Sequence, residues 1–168
     1  TKLEYRERED RSILVFKHGG ENPFTGWFKQ VRETGKLRSL EEYKNGKPHG
    51  RYFYWWKNGR KAEEKNFHDG ISHGLWESWY PNGQKQLEQS VENGKLHGPA
   101  TRWYSNGQKK DESLYQNGRV ISIVVWKPNG EKCSDTKLIN GNGVWVRYKE
   151  NGTESWRSNY RNGQYLFN

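Results

Sequence analysis

Asp69-Gly70-Ile71-Ser72-His73-Gly74-Leu75-Trp76-Glu77-Ser78-Trp79-Tyr80-Pro81-Asn82-Gly83 decides the fold, because its landmarks return at a fixed distance in both directions. One unit earlier stand His49-Gly50, Trp55-Trp56 and Asn58-Gly59, and one unit later His97-Gly98, Trp103-Tyr104 and Asn106-Gly107. Each landmark is displaced by 24 residues. The glycines Gly35, Gly46, Gly59, Gly70, Gly83, Gly94, Gly107 and Gly118 are separated by alternating gaps of 11 and 13 residues, and Gly26, Gly50, Gly74 and Gly98 form a second column. Periods of this length are the signature of repeat architectures. Beyond Gly118 the register loosens. Ser122 stands where the next glycine is due, and Gly130, Gly141, Gly152 and Gly163 follow at gaps of 12, 11, 11 and 11.

Asn-Gly between short alternating segments is a hairpin signal, since both central residues of a type I′ turn need positive φ. The gaps leave about 7 to 8 residues per strand, an ordinary length. Short connections make neighbouring strands antiparallel. The expected fold is therefore all-β: an elongated antiparallel meander of successive hairpins, about 60 Å long at ~4.8 Å per strand. Eight residues after alternate turn glycines every unit is apolar, with Tyr43, Phe67, Val91, Tyr115, Leu138 and Tyr160. A mostly basic column (Lys61, Lys85, Lys109, Lys132) lies three residues before a mostly acidic one (Glu64, Glu88, Glu112, Asp135). Three is odd, so strict alternation expects the two columns on opposite sides of the sheet.

Composition agrees with a thin sheet. The 168 residues include 9 Trp, 10 Tyr and 6 Phe but only 23 Leu, Ile and Val together, and the formal charge is +9. By averaged composition alone such a chain borders on disorder. Two Ala and no Met argue against a helix bundle, and the supply of aliphatics rules out a thick core. Rings stacked between neighbouring strands, about 0.2–1 kcal/mol per pair, are the expected substitute.

The pattern Asn45-Gly46-Lys47-x-His49-Gly50, with its fuller forms Asp69-Gly70-x-x-His73-Gly74-x-Trp76-x-x-Trp79-Tyr80-x-Asn82-Gly83-Gln84 and Asn93-Gly94-Lys95-x-His97-Gly98, resembles the variant MORN repeat. The chain is similar to bacterial proteins of the YwqK antitoxin family. The resemblance implies an elongated, curved antiparallel sheet and a role in binding rather than catalysis, possession of an antitoxin-like role included. It divides the chain into an N-terminal segment with a capping strand (1–24), regular hairpin repeats (25–120), and degenerate repeats with a cap (121–168). The charged first ten residues are expected to fray.

Several columns carry residue types capable of chemistry. His49, His73 and His97 are expected about 9.6 Å apart, too far to share a metal ion with ligands at ~2.0–2.3 Å, and read as turn residues. His68 and His73 lie close in sequence but without a carboxylate in a recognisable ligand spacing. The glutamate column reads as a solvated charge ladder. Cys133, beside Lys132 and Lys137, reads as an inert strand cysteine, and a single cysteine excludes an internal disulfide. No nucleophile, zinc-protease or phosphate-loop motif is present, so neither enzyme activity, cofactor nor metal is expected. The glycines Gly46, Gly50, Gly59, Gly70, Gly74, Gly83, Gly94, Gly98, Gly107 and Gly118 are structural.

The candidate partner-binding residues are Trp55, Trp79 and Trp103 with Arg51, Glu77 and Arg102. The leading expectation is a scaffold for protein–protein binding, antitoxin or immunity-like, acting as a monomer or an edge-paired homodimer. The alternative is adhesion to an anionic surface, phospholipid headgroups or single-stranded nucleic acid, through the ring and Lys/Arg columns. No stretch has the ~18 to 20 apolar residues of a membrane helix. The first residue is Thr1, which fits an exported chain that has lost a leader as well as a cytoplasmic one.

Overall fold

The computed structural model describes residues 2–7 and 13–166. Among the described residues sixteen strands, all antiparallel to their neighbours, make up the regular structure. A small hairpin of β1 (Leu3–Glu7) and β2 (Ile13–Lys17) stands at one end. The rest form one open meander: β3 (Gly26–Val31), β4 (Leu37–Lys44), β5 (Lys47–Trp55), β6 (Lys61–His68), β7 (Ile71–Ser72), β8 (Gly74–Trp79), β9 (Lys85–Glu92), β10 (Lys95–Trp103), β11 (Lys109–Gln116), β12 (Arg119–Val125), β13 (Lys137–Ile139), β14 (Asn142–Tyr148), β15 (Glu154–Arg161) and β16 (Gln164–Tyr165). The short β7 and β8 both pair with β6, as two pieces of one strand interrupted at His73. Residues 3–7 are thus paired strand rather than a frayed end; residues 1 and 8–10 of that expectation lie outside the described part.

The Asn-Gly turns are of two kinds, not one. At Asn45-Gly46, Asp69-Gly70, Asn93-Gly94, Asn117-Gly118, Asn140-Gly141 and Asn162-Gly163 both residues have positive φ, near 50° and between 73° and 86°, as a type I′ turn requires. In the alternate turns only the glycine is left-handed, and the asparagine side chain instead accepts a backbone N–H two residues on. Examples are Arg60 N to Asn58 Oδ1 (3.1 Å), Gln84 N to Asn82 Oδ1 (3.0 Å) and Gln108 N to Asn106 Oδ1 (3.0 Å). In a meander alternate turns fall on opposite long rims, so each rim has its own turn chemistry.

Both rims join consecutive repeats. On the type I′ rim each turn glycine donates its N–H to a carbonyl one repeat back: Gly70 to Pro48 (2.8 Å), Gly94 to Ser72 (2.9 Å) and Gly118 to Leu96 (2.8 Å). On the other rim the second ring of each aromatic pair reaches forward. Trp56 Nε1 donates to Trp79 O (2.9 Å), Tyr80 OH to Trp103 O (2.8 Å) and Tyr104 OH to Trp126 O (2.9 Å). Asparagine amides run beside them, Asn58 to Pro81 O, Asn82 to Ser105 O and Asn106 to Pro128 O.

Two regular bulges modulate the strands. Opposite β5, Tyr54 pairs with Glu63 but Trp55 with Lys61, so Ala62 is an extra residue; Gln86 in β9 and Lys110 in β11 repeat the pattern. One inserted residue reverses the side-chain alternation. The basic and acidic columns therefore share a face, contrary to simple parity: Lys61 reaches Glu64 at 2.8 Å, Lys85 reaches Glu88 at 2.5 Å, and Lys109 pairs with Glu112. The second bulge carries His49-Gly50 and His97-Gly98. Two more residues lie on the long strand than on its neighbour between the pairs Leu96–Val91 and Ala100–Gln89, and the parity is kept.

Apolar packing is concentrated at the ends. Val15, Phe24 and Tyr43 form one cluster beneath the N-terminal hairpin. Val120, Ile123, Val125, Cys133, Leu138, Trp145, Val146 and Tyr148 form the larger one in the degenerate repeats. Between them the array is close to a single layer, as the composition requires.

Glycines at different places should therefore differ sharply in tolerance. A Cβ at Gly35 meets nothing within 4 Å, so Gly35→Ala should cost only the ~1–2 kcal/mol of a left-handed alanine. A Cβ at Gly143 would sit 1.8 Å from the Lys137 carbonyl oxygen, so Gly143→Ala should cost ~4 kcal/mol or more. Urea unfolding of the two variants checks the order.

Candidate functional site

Following directly opposed residues across the sheet defines its two faces. One row runs Leu40, Phe53, Glu64, Glu77, Glu88, Thr101, Glu112, Val124. Beside it, beyond the one-residue bulges, the pairs Trp55–Lys61, Trp79–Lys85 and Trp103–Lys109 form a second row. Lysine and tryptophan also alternate from repeat to repeat. Lys61 Nζ lies 4.2 Å from the centre of the Trp79 ring, Lys85 5.9 Å from Trp103, and Lys109 5.8 Å from Trp126. Cation–π contacts of this kind contribute roughly 0.5–1 kcal/mol each at exposed sites. Face-on, then, this is a lattice of Trp, Lys and Glu, called here the ladder face.

Like charges directly opposite one another are destabilising. Glu77 stands opposite both Glu64 and Glu88. Lys85 offsets the repulsion by bridging Glu77 at 2.7 Å and Glu88 at 2.5 Å. Partial burial pushes the Lys85 ammonium down, but its two glutamates outweigh this and hold it above the ordinary lysine value.

Of the six candidate partner-binding residues, Trp55, Trp79, Trp103, Arg51 and Glu77 share the ladder face, and Arg102 is on the other. The three tryptophans are half-buried, and Trp79 and Trp103 lie against lysines. Arg51 is exposed above the Phe53 ring, which packs on Trp55 and Trp27. The more exposed apolar side chains of this face are ones the repeat columns did not single out: Trp27 (45 %), Leu75 (42 %) and Leu114 (44 %).

The opposite, inner face is rich in buried groups. β10 and β14 stand four places apart in the sheet, about 19 Å if it were flat. Yet the Arg102 guanidinium lies 5.4 Å from the Trp145 ring, and Glu150 hydrogen-bonds Ser105, so the sheet curls strongly here. Inside the curl is a cavity of about 600 Å³ lined by Arg102, Arg147, Trp145, Tyr160 and Gln89 among others. Asp111, 2 % exposed, accepts a hydrogen bond from Arg102 Nε at 3.0 Å. Burial pushes its carboxyl up, against the pull of Arg102 and Arg147. Burial also holds Arg147 below the usual arginine value, with Arg102 adding to the effect.

Two members of the histidine column, His49 and His97, meet a turn, whereas His73 stands between β7 and β8 and donates its backbone N–H to Asn66 O at 2.9 Å. His49 Nδ1 is 3.0 Å from Asp69 Oδ1, and His97 Nδ1 is 3.3 Å from Asn117 Oδ1, so each histidine meets the type I′ turn of the following repeat. At the first position His68 joins them, its ring centre 5.0 Å from that of His49. The ligand atoms of His49, His68 and Asp69 lie within 4.8 Å of one another, a set with the donor types of a metal site. Sequence spacing pointed to His68 with His73 and missed this grouping, because His49 comes from the preceding repeat and Asp69 from a turn. At His97 the contact recurs with an asparagine, Asn117, in place of the aspartate.

Cys133 is buried, with Sγ 3.2 Å from Tyr148 OH and 3.6 Å from Thr136 Oγ1. Burial raises its thiol, but these hydrogen bonds prevail and lower it. Neither Lys132 nor Lys137 is the cause.

Residues 72–93 and 96–117 match the family model of the MORN repeat variant, which covers the two most regular units of the array. No curated protein matches the chain. MORN repeats are linked to binding, for example to membranes or to proteins. Among the described residues no helix is long and apolar enough to cross a membrane.

Two outcomes follow from this geometry. Lys85→Gln should destabilise by about 1 kcal/mol at neutral pH, leaving the facing carboxylates of Glu77 and Glu88 without their bridge. A lysine raised in the folded state stabilises fully below its unfolded pKa and loses that effect as pH rises through the folded one. The stability gap between wild type and Lys85→Gln should thus close in the strongly alkaline range, read from urea midpoints across pH. Asp69→Asn, which reproduces the residue of later repeats, should leave the thermal midpoint unchanged, with or without added Zn²⁺.

Proposed function

We propose that the chain is a non-catalytic scaffold that binds another protein across the ladder face. The observation that carries this reading is the internal neutralisation of the lysine column. Lys61, Lys85 and Lys109 each hold a glutamate, so the face offers rings and apolar side chains in a balanced charge lattice rather than a row of free cations. Trp27, Leu75 and Leu114 supply exposed apolar area along it. Protein interfaces combine an apolar centre with a polar rim in this way, and repeat sheets present extended binding surfaces. An antitoxin or immunity-like role is the finer form of the proposal, supported by the resemblance of the repeat pattern to that family.

A second reading, adhesion to an anionic surface, has one local observation in its favour. A cavity of about 510 Å³ at the β3–β4 turn is lined by Arg32, Lys36, Arg38 and Lys57 with a single acid, Glu33. Its cations lie at one end of the array, away from the central repeats.

The double variant Leu75→Asp/Leu114→Asp distinguishes the two. Affinity capture from the source cell should retain a discrete protein on wild type and at least ten-fold less on the variant, while both bind phosphatidylserine vesicles and oligonucleotides weakly. Equal retention by both, or vesicle binding that falls steeply with salt and survives the double variant, would overturn the protein-binding reading.

A further inference from the structure

We propose that the cavity inside the curl is a binding site for a monoanionic carboxylate carried on a flat apolar body. This goes beyond the protein-binding reading and is independent of it, since the cavity lies on the opposite face from the ladder.

The volume of about 600 Å³ falls within the ~300–1,000 Å³ of small-ligand sites. Its charge is unbalanced. Arg102 and Arg147 both line it, and Asp111, the carboxylate beside them, is hydrogen-bonded to Arg102. The other charged groups acting there, Lys110 and Glu150, are of opposite sign and cancel. Among the described residues no salt bridge reaches Arg147, and its Nε is buried without an acceptor. A net single positive charge there suits one negative charge. A dianion would meet Asp111 as well.

Geometry prepares that guanidinium for a carboxylate. Arg147 lies against two indoles set edge to face, 4.2 Å from the Trp145 ring centre and 4.9 Å from that of Trp156. Rings packed beside a guanidinium offer its N–H groups no acceptor in the ring plane, so its planar fork of donors suits a forked carboxylate contact. A second donor lacks a partner: Trp145, 2 % exposed, lines the cavity, and its Nε1–H has no acceptor in the protein. Buried donors nearly always have acceptors, and a carboxylate has two oxygens to serve both. The neighbouring rings, Trp145 and Tyr160 with centres 5.6 Å apart, provide a wall for a flat body.

A free aromatic acid and a peptide glutamate offer the same chemistry, so both are tested on the whole chain. The readout is the indole N–H resonance of Trp145 in ¹⁵N-correlated spectra, assigned by triple resonance. The probes are benzoate, benzamide, inorganic phosphate, and the peptide acetyl-Gly-Trp-Gly-Glu-Gly-amide with its Glu→Gln counterpart. A saturable shift with benzoate but not benzamide supports the site for free acids; a shift with the Glu peptide but not the Gln peptide assigns it to a peptide-borne carboxylate. Arg147→Gln should weaken binding at least ten-fold, and Asp111→Asn should tighten it several-fold. If Arg147→Gln fails to fold, the comparison of charged and neutral probes on the native chain decides alone. No saturable shift with either carboxylate, equal binding of benzamide, or tighter binding of phosphate overturns the proposal.

Discussion

Everything in the central sheet depends on hydrogen bonds that pass from one repeat to the next along both rims. A single-layer sheet has no core to hold its strands in register, and pairing with immediate neighbours alone would let hairpins slide or splay. The type I′ glycines fix one rim through Gly70, Gly94 and Gly118, whose N–H groups reach the strand of the preceding repeat. Trp56, Tyr80 and Tyr104 fix the other by donating to the first aromatic residue of the next repeat. Each kind of tie recurs every 24 residues, so the period of the sequence is the period of the ties. The two apolar clusters add packing on either side of the regular repeats, where the glycine ties continue from Gly46 to Phe24 and from Gly141 to Ile121.

The one-residue bulge converts that scaffold into a patterned surface. Without Ala62, Gln86 and Lys110 as extra residues, the lysines would point away from the glutamates and from the first aromatic ring of each pair. With them, lysine, tryptophan and glutamate converge, and three facing carboxylates become tolerable because Lys85 lies between two of them. The aromatic pairs thereby divide their labour. The first ring belongs to the ladder face, and the second is spent on the rim.

Most of the architecture was legible in the sequence because its signals are local. Asn-Gly marks a hairpin wherever it occurs, and a column of identical residues marks a period. What was not legible came from single-residue geometry and from distance. The dipeptide Asn58-Gly59 reads like Asn45-Gly46, although one asparagine is left-handed and the other serves as a hydrogen-bond acceptor. The bulge leaves apolar alternation nearly intact, so parity put Lys61 and Glu64 on opposite faces; their recurrence three residues apart in successive units was the available clue. The His49, His68 and Asp69 grouping joins two repeats, and the cavity joins Arg102 to Arg147 through curvature that no repeat column encodes. The degenerate units lose the period where they gain the core, which is why the site built there left no periodic trace.

The nearest-neighbour ties also bear on how such a chain changes over evolutionary time. Because each unit is held only by the ones beside it, a whole 24-residue segment can be duplicated or lost with its turn kinds, bulges and charge lattice rejoining in phase. A segment of half that length brings the wrong rim chemistry to each junction. Length is therefore free to vary in whole steps while the end modules stay fixed, and the reach of the ladder face becomes a heritable dimension separable from the chemistry of the curl.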